Sequence, residues 1–317
     1  MDRLPIIDIT GLDTADDARL RAIGAQIGAA CREIGFFYVK GHAIDEATLA
    51  DVFAMAHRFF ELPEDEKGAL AISAASKNRG YVHMRTEALD PGRNIDNKEA
   101  FNIGLELASE DPEVLADVAS RALNMWPSLP GFRDTMLDYF ARMHRLGCDL
   151  HRAIALDLDL DADHFEPLFD RPMATVRLLH YPPAEEIEGS QFGAGAHTDY
   201  GNLTILAVDE IGGLQVQRRD GTWIDATPIP GAFICNIGDC LMRWTNGVYA
   251  STPHRVVNPQ GGERYSVAFF LDANPHALVD VLETCVSAER PKLYPPIKAS
   301  DYLAERFAQT YGTFEKK

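Results

Sequence analysis

STPHRVVNPQGGERYSVAFFL, residues 251–271, decides how this chain is read. Two β-prone runs, 252–257 and 265–271, flank Asn258-Pro-Gln-Gly-Gly262, a strong turn signal. Closed as a hairpin, the turn sets position 254 opposite 266 and 256 opposite 264. His254, Arg264 and Ser266 then face one side, the interior of a barrel. An arginine pointing inward needs an anionic partner, because a buried unpaired charge is very costly. Its planar fork suits a carboxylate, and Ser266, two residues on, adds a hydrogen-bond donor on the same face.

Upstream the pattern repeats. Short β-rich runs at 174–181, 203–208, 213–217 and 232–237 are separated by turn-prone segments, among them Gly193–Gly195, Glu210–Gly213, Arg219–Gly221 and Pro228–Gly231. Strands at that spacing predict a sandwich or barrel. Before residue 173 the character is different. Helical spacing covers 14–33, 44–60 (with Asp45 as N-cap) and 130–157, strands are expected at 4–9 and 35–40, and 66–104 reads as polar and irregular. A last helix is expected at 299–312. The fold class is therefore α+β, with a helical and mixed region over 1–172 packed on a β core over 173–317, as one structural unit without a linker.

His197-Thr-Asp199 follows the glycine-rich segment. On an extended segment a His-x-Asp pair shares one face. With one distant histidine, His254, it makes a 2-His-1-carboxylate facial triad, which suits Fe(II) and leaves coordination positions open. The pair alone is weak evidence, since 10 histidines among 48 acidic residues give such a spacing by chance, and His164-Phe-Glu166 is a second instance. That second pair lies outside the β region and reads as a surface feature. His144 and His151, seven apart, read as a solvated helix face. His180 alternates away from Tyr181 and should point out of the barrel.

The formal net charge of −18 disfavours phosphate backbones and anionic membrane surfaces, so neither nucleic acid nor membrane is an expected partner. No apolar run approaches the length of a membrane span and the N-terminus carries no signal-peptide pattern. Five cysteines, an odd number with no Cys-x-x-Cys, fit reduced thiols. The expected location is cytoplasmic. Oligomeric state is not legible.

The chain resembles the isopenicillin N synthase-like family of Fe(II)/2-oxoglutarate-dependent dioxygenases. The resemblance runs through Leu4-Pro-Ile-Ile-Asp8, Gly35-Phe-Phe-Tyr-Val-x-Gly41, Gly80-Tyr81, Lys98-Glu99, Tyr181-Pro182 and His197-Thr-Asp199. It continues through Gly213-Leu-Gln-Val216, Asn236-Ile-Gly-Asp239, Trp244-Thr-Asn-Gly247, His254-Arg-Val256 and Arg264-x-Ser266. It implies a double-stranded β-helix (jelly-roll) core with flanking helices. It also implies Fe(II) on His197, Asp199 and His254, with 2-oxoglutarate on Arg264 and Ser266 and Tyr181 as a further hydroxyl donor. O2 would be the oxidant and a small molecule the substrate, oxidised by hydroxylation, desaturation or ring formation. Leu179 stands where many plant members carry asparagine, which removes a polar contact there. Two alternatives share the motifs: an Fe(II) oxidase that uses no 2-oxoglutarate, like isopenicillin N synthase, and an ethylene-forming relative. A non-catalytic metal-binding jelly roll is the third, disfavoured because a scaffold needs neither triad nor arginine. For the substrate pocket, Tyr81, Arg85, Arg93 and Phe101 are candidate walls, and the last helix around Tyr302 and Phe307 a candidate lid.

Overall fold

The computed structural model describes residues 3–90, 95–183, 192–257 and 262–311. In chain order the elements begin β1 (Ile6–Asp8), α1 (Asp17–Glu33), β2 (Phe36–Lys40), α2 (Glu46–Phe60), α3 (Glu64–Gly68), β3 (Gly80–Val82), β4 (Glu99–Gly104), α4 (Pro112–Leu115) and α5 (Phe132–Asp157). The β-rich half follows: β5 (Thr175–Tyr181), β6 (Phe192–His197), β7 (Leu203–Val208), β8 (Leu214–Gln217), β9 (Trp223–Asp225), β10 (Ala232–Ile237), α6 (Asp239–Trp244), β11 (His254–Val257), β12 (Arg264–Leu271), β13 (Leu278–Val279), β14 (Ile297–Lys298) and α7 (Ala299–Tyr311).

Two sheets make the core. The larger has the order β1-β2-β10-β7-β12-β5-β4-β3, the smaller β6-β11-β8-β9. Strand alternation divides the apolar residues between two layers. Phe37, Val39, Val176, Leu178, Cys235, Val267 and Phe269 turn to the helices and join Ile23, Ile27, Phe59, Met136, Tyr139, Met143 and Leu150 in the main core. Phe36, Tyr38, Leu179, Tyr181, Ile234 and Ala268 turn the other way and meet Ala194, Leu214, Val216 and Val256 of the smaller sheet. The jelly-roll sandwich is thus backed by helices on one side. Asp45 caps α2 as expected, accepting from Thr48 N, and α1, expected from residue 14, starts at Asp17 behind Asp16, which accepts from Arg19 N.

Several sequence expectations are corrected. The hairpin between residues 252–257 and 265–271 does not exist: β11 pairs with β6 and β8, whereas β12 pairs with β5 and β7. The two strands lie in different sheets, and residues 258–261, where the turn was expected, lie outside the described residues. Two β runs either side of a turn carry no information on whether the chain folds back in-plane or crosses a sandwich. Gly193–Gly195, read as a turn, lies within β6. The segment 66–104 holds β4, buried at every position and hydrogen-bonded to β5. Its polar residues meet side chains from elsewhere in the chain rather than water, Glu99 with Lys67, Tyr81 and His180 and Asn102 with Asn78, which hid it. His151 is 1% exposed and His144 is half-buried, so their helix face is packed, not solvated. His164 and Glu166 are exposed, as expected. All five cysteines are free. Among the described residues, no helix is long and apolar enough to cross a membrane.

Candidate active site

The two sheets enclose a cavity of about 180 Å³. Three ligating side chains converge at one side of it. His197 closes β6, Asp199 follows in the loop to β7, and His254 opens β11, where it is the register partner of His197. Asp199 Oδ1 lies 3.6 Å from His254 Nε2 and 3.9 Å from His197 Nε2. The imidazole centroids are 4.3 Å apart.

The outer atoms of all three are tied back. His197 Nδ1 hydrogen-bonds Gly195 O at 2.7 Å and His254 Nδ1 faces Thr252 O at 3.2 Å. A carbonyl only accepts, so each Nδ1 carries the proton and each Nε2 presents a lone pair. Asp199 Oδ2 accepts from Thr204 Oγ1 at 2.5 Å and from Asn236 Nδ2 at 2.7 Å, leaving Oδ1 for the cavity. Burial first, and the neighbouring His254 second, push the His197 pKa down, holding a neutral imidazole. Burial would raise the Asp199 carboxyl, but His254, His197, Asn236 and Thr204 outweigh it and hold it below its ordinary value. Two neutral imidazoles and a carboxylate with fixed outer hydrogen bonds are a donor set for a divalent metal, and the N,N,O composition fits Fe(II).

The loop carrying Asp199 is braced by the start of α6. Asp239 N donates to Asp199 O at 2.7 Å and Gly238 N to Asn202 O at 2.9 Å. The Asp239 carboxylate accepts from Thr198 Oγ1 at 3.0 Å and from Arg306 of α7 at 2.6 Å. Arg306 also lies 4.9 Å over the Tyr200 ring.

Arg264 is 1% exposed and also lines this cavity. Its Nε donates to Gly212 O at 2.6 Å and one terminal nitrogen to Ser266 Oγ at 3.2 Å. The guanidinium stands 4.7 Å over the ring of Tyr181, its register partner on β5. No carboxylate among the described residues pairs with it. The sequence-derived set His197, Asp199, His254, Arg264, Ser266 and Tyr181 therefore lines one cavity, assembled across the sandwich rather than along a hairpin.

The pocket-wall expectations fare differently. Tyr81 and Phe101 sit in the core, Arg85 hydrogen-bonds Asn97, and none of the three lines the cavity. Arg93 lies outside the described residues. The same segment supplies Glu87, Leu89, Lys98 and Asn102 instead. From α7, Phe307 lines the cavity as expected, but with Leu303 rather than Tyr302. His180 points away from the cavity, its Nδ1 donating to Glu99 Oε1 at 2.7 Å and its ring stacking on Tyr265. Sequence reasoning missed Thr204 and Asn236, the clamp on Asp199, and Arg177 and Phe270. Strand parity with Tyr181 and Ser266 was the signal that could have found the last two. Asp272, which lines the cavity beside Gly201, has its pKa raised by burial to about 7.

Comparisons with known proteins fit this geometry. Residues 4–129 match the family described as non-haem dioxygenase in morphine synthesis N-terminal, and residues 172–273 match the 2OG-Fe(II) oxygenase superfamily. The 2-oxoglutarate-Fe(II) type oxidoreductase hxnY of Emericella nidulans is 38% identical over 98% of this chain and 91% of its own length. A homoarginine-6-hydroxylase of Oryza sativa subsp. japonica is 38% identical over 89% of each chain. A full-length Neurospora crassa protein solved with alpha-KG and thymine superposes with a TM-score of 0.86 at 32% identity, covering 97% of both chains.

Proposed function

This chain belongs to the 2OG-Fe(II) oxygenase superfamily and is an Fe(II)- and 2-oxoglutarate-dependent oxidoreductase acting on small molecules, and from that premise we propose which of its residues do the work. His197, Asp199 and His254 hold the iron. Arg264 and Ser266, beside Tyr181, hold the distal carboxylate of 2-oxoglutarate.

One observation supports this reading above the others: a buried guanidinium with no anionic partner among the described residues shares a cavity with three converging metal donors. An isolated buried charge costs several kcal/mol, about what a bound carboxylate would recover. Arg264's fork gives two parallel donors to such a group, and the Nε bond to Gly212 O fixes its orientation. The Tyr181 ring below the guanidinium adds a cation–π contact and keeps water from one face. Iron with 2-oxoglutarate and O2 supplies oxidising power, with the keto acid leaving as succinate and carbon dioxide. The protein's own part is positional. Thr204 and Asn236 hold Asp199 with one oxygen inward, and Gly195 O and Thr252 O select the tautomer that turns each Nε2 inward. Leu303 and Phe307 of α7 add apolar surface to the cavity wall, which helps to exclude water.

Residues 1–172 and 173–317 work as one unit in this reading, because β1 to β4 extend the same sheet that carries Arg264. The substrate is a small organic molecule, the class named for the homoarginine hydroxylase and present in the Neurospora complex.

The test is an anaerobic titration of metal-free protein with Fe(II) and then 2-oxoglutarate, following the weak visible charge-transfer band of an iron-chelated keto acid. A band in the wild type that is absent in His197→Ala supports both assignments. Iron binding without the band would refute the role of Arg264, and no iron binding would refute the triad.

A further inference from the structure

Resting on that reading of the iron end, the last helix carries a further inference, because it is seated on the loop that presents Asp199. Tyr302 and Leu303 bury its first turn in the main core, and Ala299 N and Ser300 N donate to Ala277 O at 2.9 Å and Pro275 O at 3.2 Å. Residues 304, 305, 307 and 308 are exposed, so burial anchors α7 at its start rather than along its length. Leu303, Arg306 and Phe307, three and four residues apart, share one helix face. Leu303 and Phe307 line the cavity, and Arg306 reaches the start of α6 beside it.

The path from that helix to the metal donors is short. Arg306 donates to Asp239 Oδ2 at 2.6 Å, and the same oxygen accepts from Thr198 Oγ1 at 3.0 Å. Thr198 stands between His197 and Asp199. Asp239 N donates to Asp199 O at 2.7 Å, and Cys240 N donates to Tyr200 O at 3.1 Å and Gly201 O at 3.0 Å. The first turn of α6 thus grips the metal loop by side chain and by main chain. Arg306 also lies 4.9 Å over the Tyr200 ring, which Phe307 meets edge-on at 5.7 Å. The Asp239 side chain is 9% exposed, and among the described residues Arg306 is the cation paired with it. Removing one partner of a largely buried ion pair leaves an uncompensated charge. Asp239 would then turn toward water, and that turn would release Thr198.

We propose that Arg306 is a positioning residue that couples the seating of α7 against the cavity to the hold on Asp199, so that Fe(II) binding and docking of the helix strengthen each other. A contact shared by two elements links them in both directions. If the seated helix raises iron affinity by some factor, bound iron raises the seating equilibrium by the same factor. Thr204 and Asn236 touch Asp199 directly, whereas Arg306 acts through Asp239, which places the factor at the low end for such couplings, about five-fold. Leu303 and Phe307 consequently settle into the cavity wall as the iron site fills.

The experiment follows amide hydrogen exchange in α7 of the full chain, anaerobically, without Fe(II) and at saturating Fe(II). Fe(II) titrations of wild type, Arg306→Gln, Arg306→Lys and Glu305→Gln accompany it. In wild type, Fe(II) should slow exchange in the second half of α7 about five-fold. Arg306→Gln should lose that slowing and bind Fe(II) about five-fold more weakly, and Arg306→Lys should recover part of both. Glu305→Gln, on the exposed face, should match wild type. A merely structural role for Arg306 would lower the thermal stability of the metal-free protein without touching the iron dependence of helix exchange. Exchange in α7 that ignores Fe(II) in wild type overturns the inference, even where Arg306→Gln does not fold. Equal slowing, or iron affinity within two-fold of wild type, in a folded Arg306→Gln overturns it too. Each of these results leaves the iron site standing. A wild type that binds no Fe(II) overturns the reading beneath, and the inference with it.

Discussion

In the proposed iron site, Asp199 can serve as a ligand only while its outer oxygen is held, and that can be tested one hydrogen bond at a time. Oδ2 accepts from Thr204 at 2.5 Å and from Asn236 at 2.7 Å, both donors being at least 95% buried. Thr204→Val keeps the shape and removes one donor. A hydrogen bond to a charged group contributes about 1.5–3 kcal/mol, roughly ten-fold to a hundred-fold in an equilibrium constant. Since Asn236 still holds the carboxylate, the lower end applies: Fe(II) binding should weaken about ten-fold. Asn236→Leu should cost a similar factor. In the double variant nothing fixes Oδ2, the carboxylate is free to rotate, and the loss should exceed the product of the single effects, because each donor alone can still hold the rotamer. The assay is an anaerobic Fe(II) titration of each variant, with thermal unfolding of the metal-free proteins to separate loss of the fold from loss of the site. Iron affinity within two-fold of wild type in both single variants, with the fold intact, would refute the clamp.

Other expectations follow from particular contacts. Arg264→Lys loses the bidentate fork and should weaken 2-oxoglutarate binding by about 2–5 kcal/mol, read as the concentration needed to develop the keto-acid band; an unchanged affinity would remove Arg264 from the co-substrate site. Gly238→Ala would place a Cβ 2.2 Å from Gly201 O and 3.1 Å from Asp199 O, so backbone must shift; iron occupancy should fall along with stability, and normal occupancy would show that the loop yields without disturbing Asp199. His151 is buried between Phe165 and Phe169, and burial lowers its pKa from 6.5 to about 4. Because the unfolded chain takes up the proton first, this residue's contribution is complete above pH 6.5, falls as acid is added, and is fully lost below about pH 4. It should cost about 2 kcal/mol by pH 5, measured as the difference in acid sensitivity of unfolding between wild type and His151→Gln; equal pH profiles would contradict it.

Residue types and periodicity carried much of this molecule. The 3.6-residue apolar spacing of α1, α2 and α5 and the Asp45 cap are local properties, so they were visible without the fold. So was the chemistry of His197, Asp199, His254, Arg264 and Ser266, because few other environments call for an inward histidine, carboxylate and arginine on β strands. What the sequence left open is which strands are neighbours. The turn after β11 reads the same whether the chain makes a hairpin or crosses between sheets, and only packing of two apolar faces decides for the crossing. β4 escaped notice because its polar residues are satisfied by partners far away in the chain: Glu99 is met by Lys67, Tyr81 and His180, and Asn102 by Asn78. The same holds for the polar end of the cavity. Arg177, Glu87, Lys98 and Phe270 come from separate segments, and no local pattern marks them as companions. Local free energies set each strand and helix, whereas the partners of a buried polar group are set by tertiary packing.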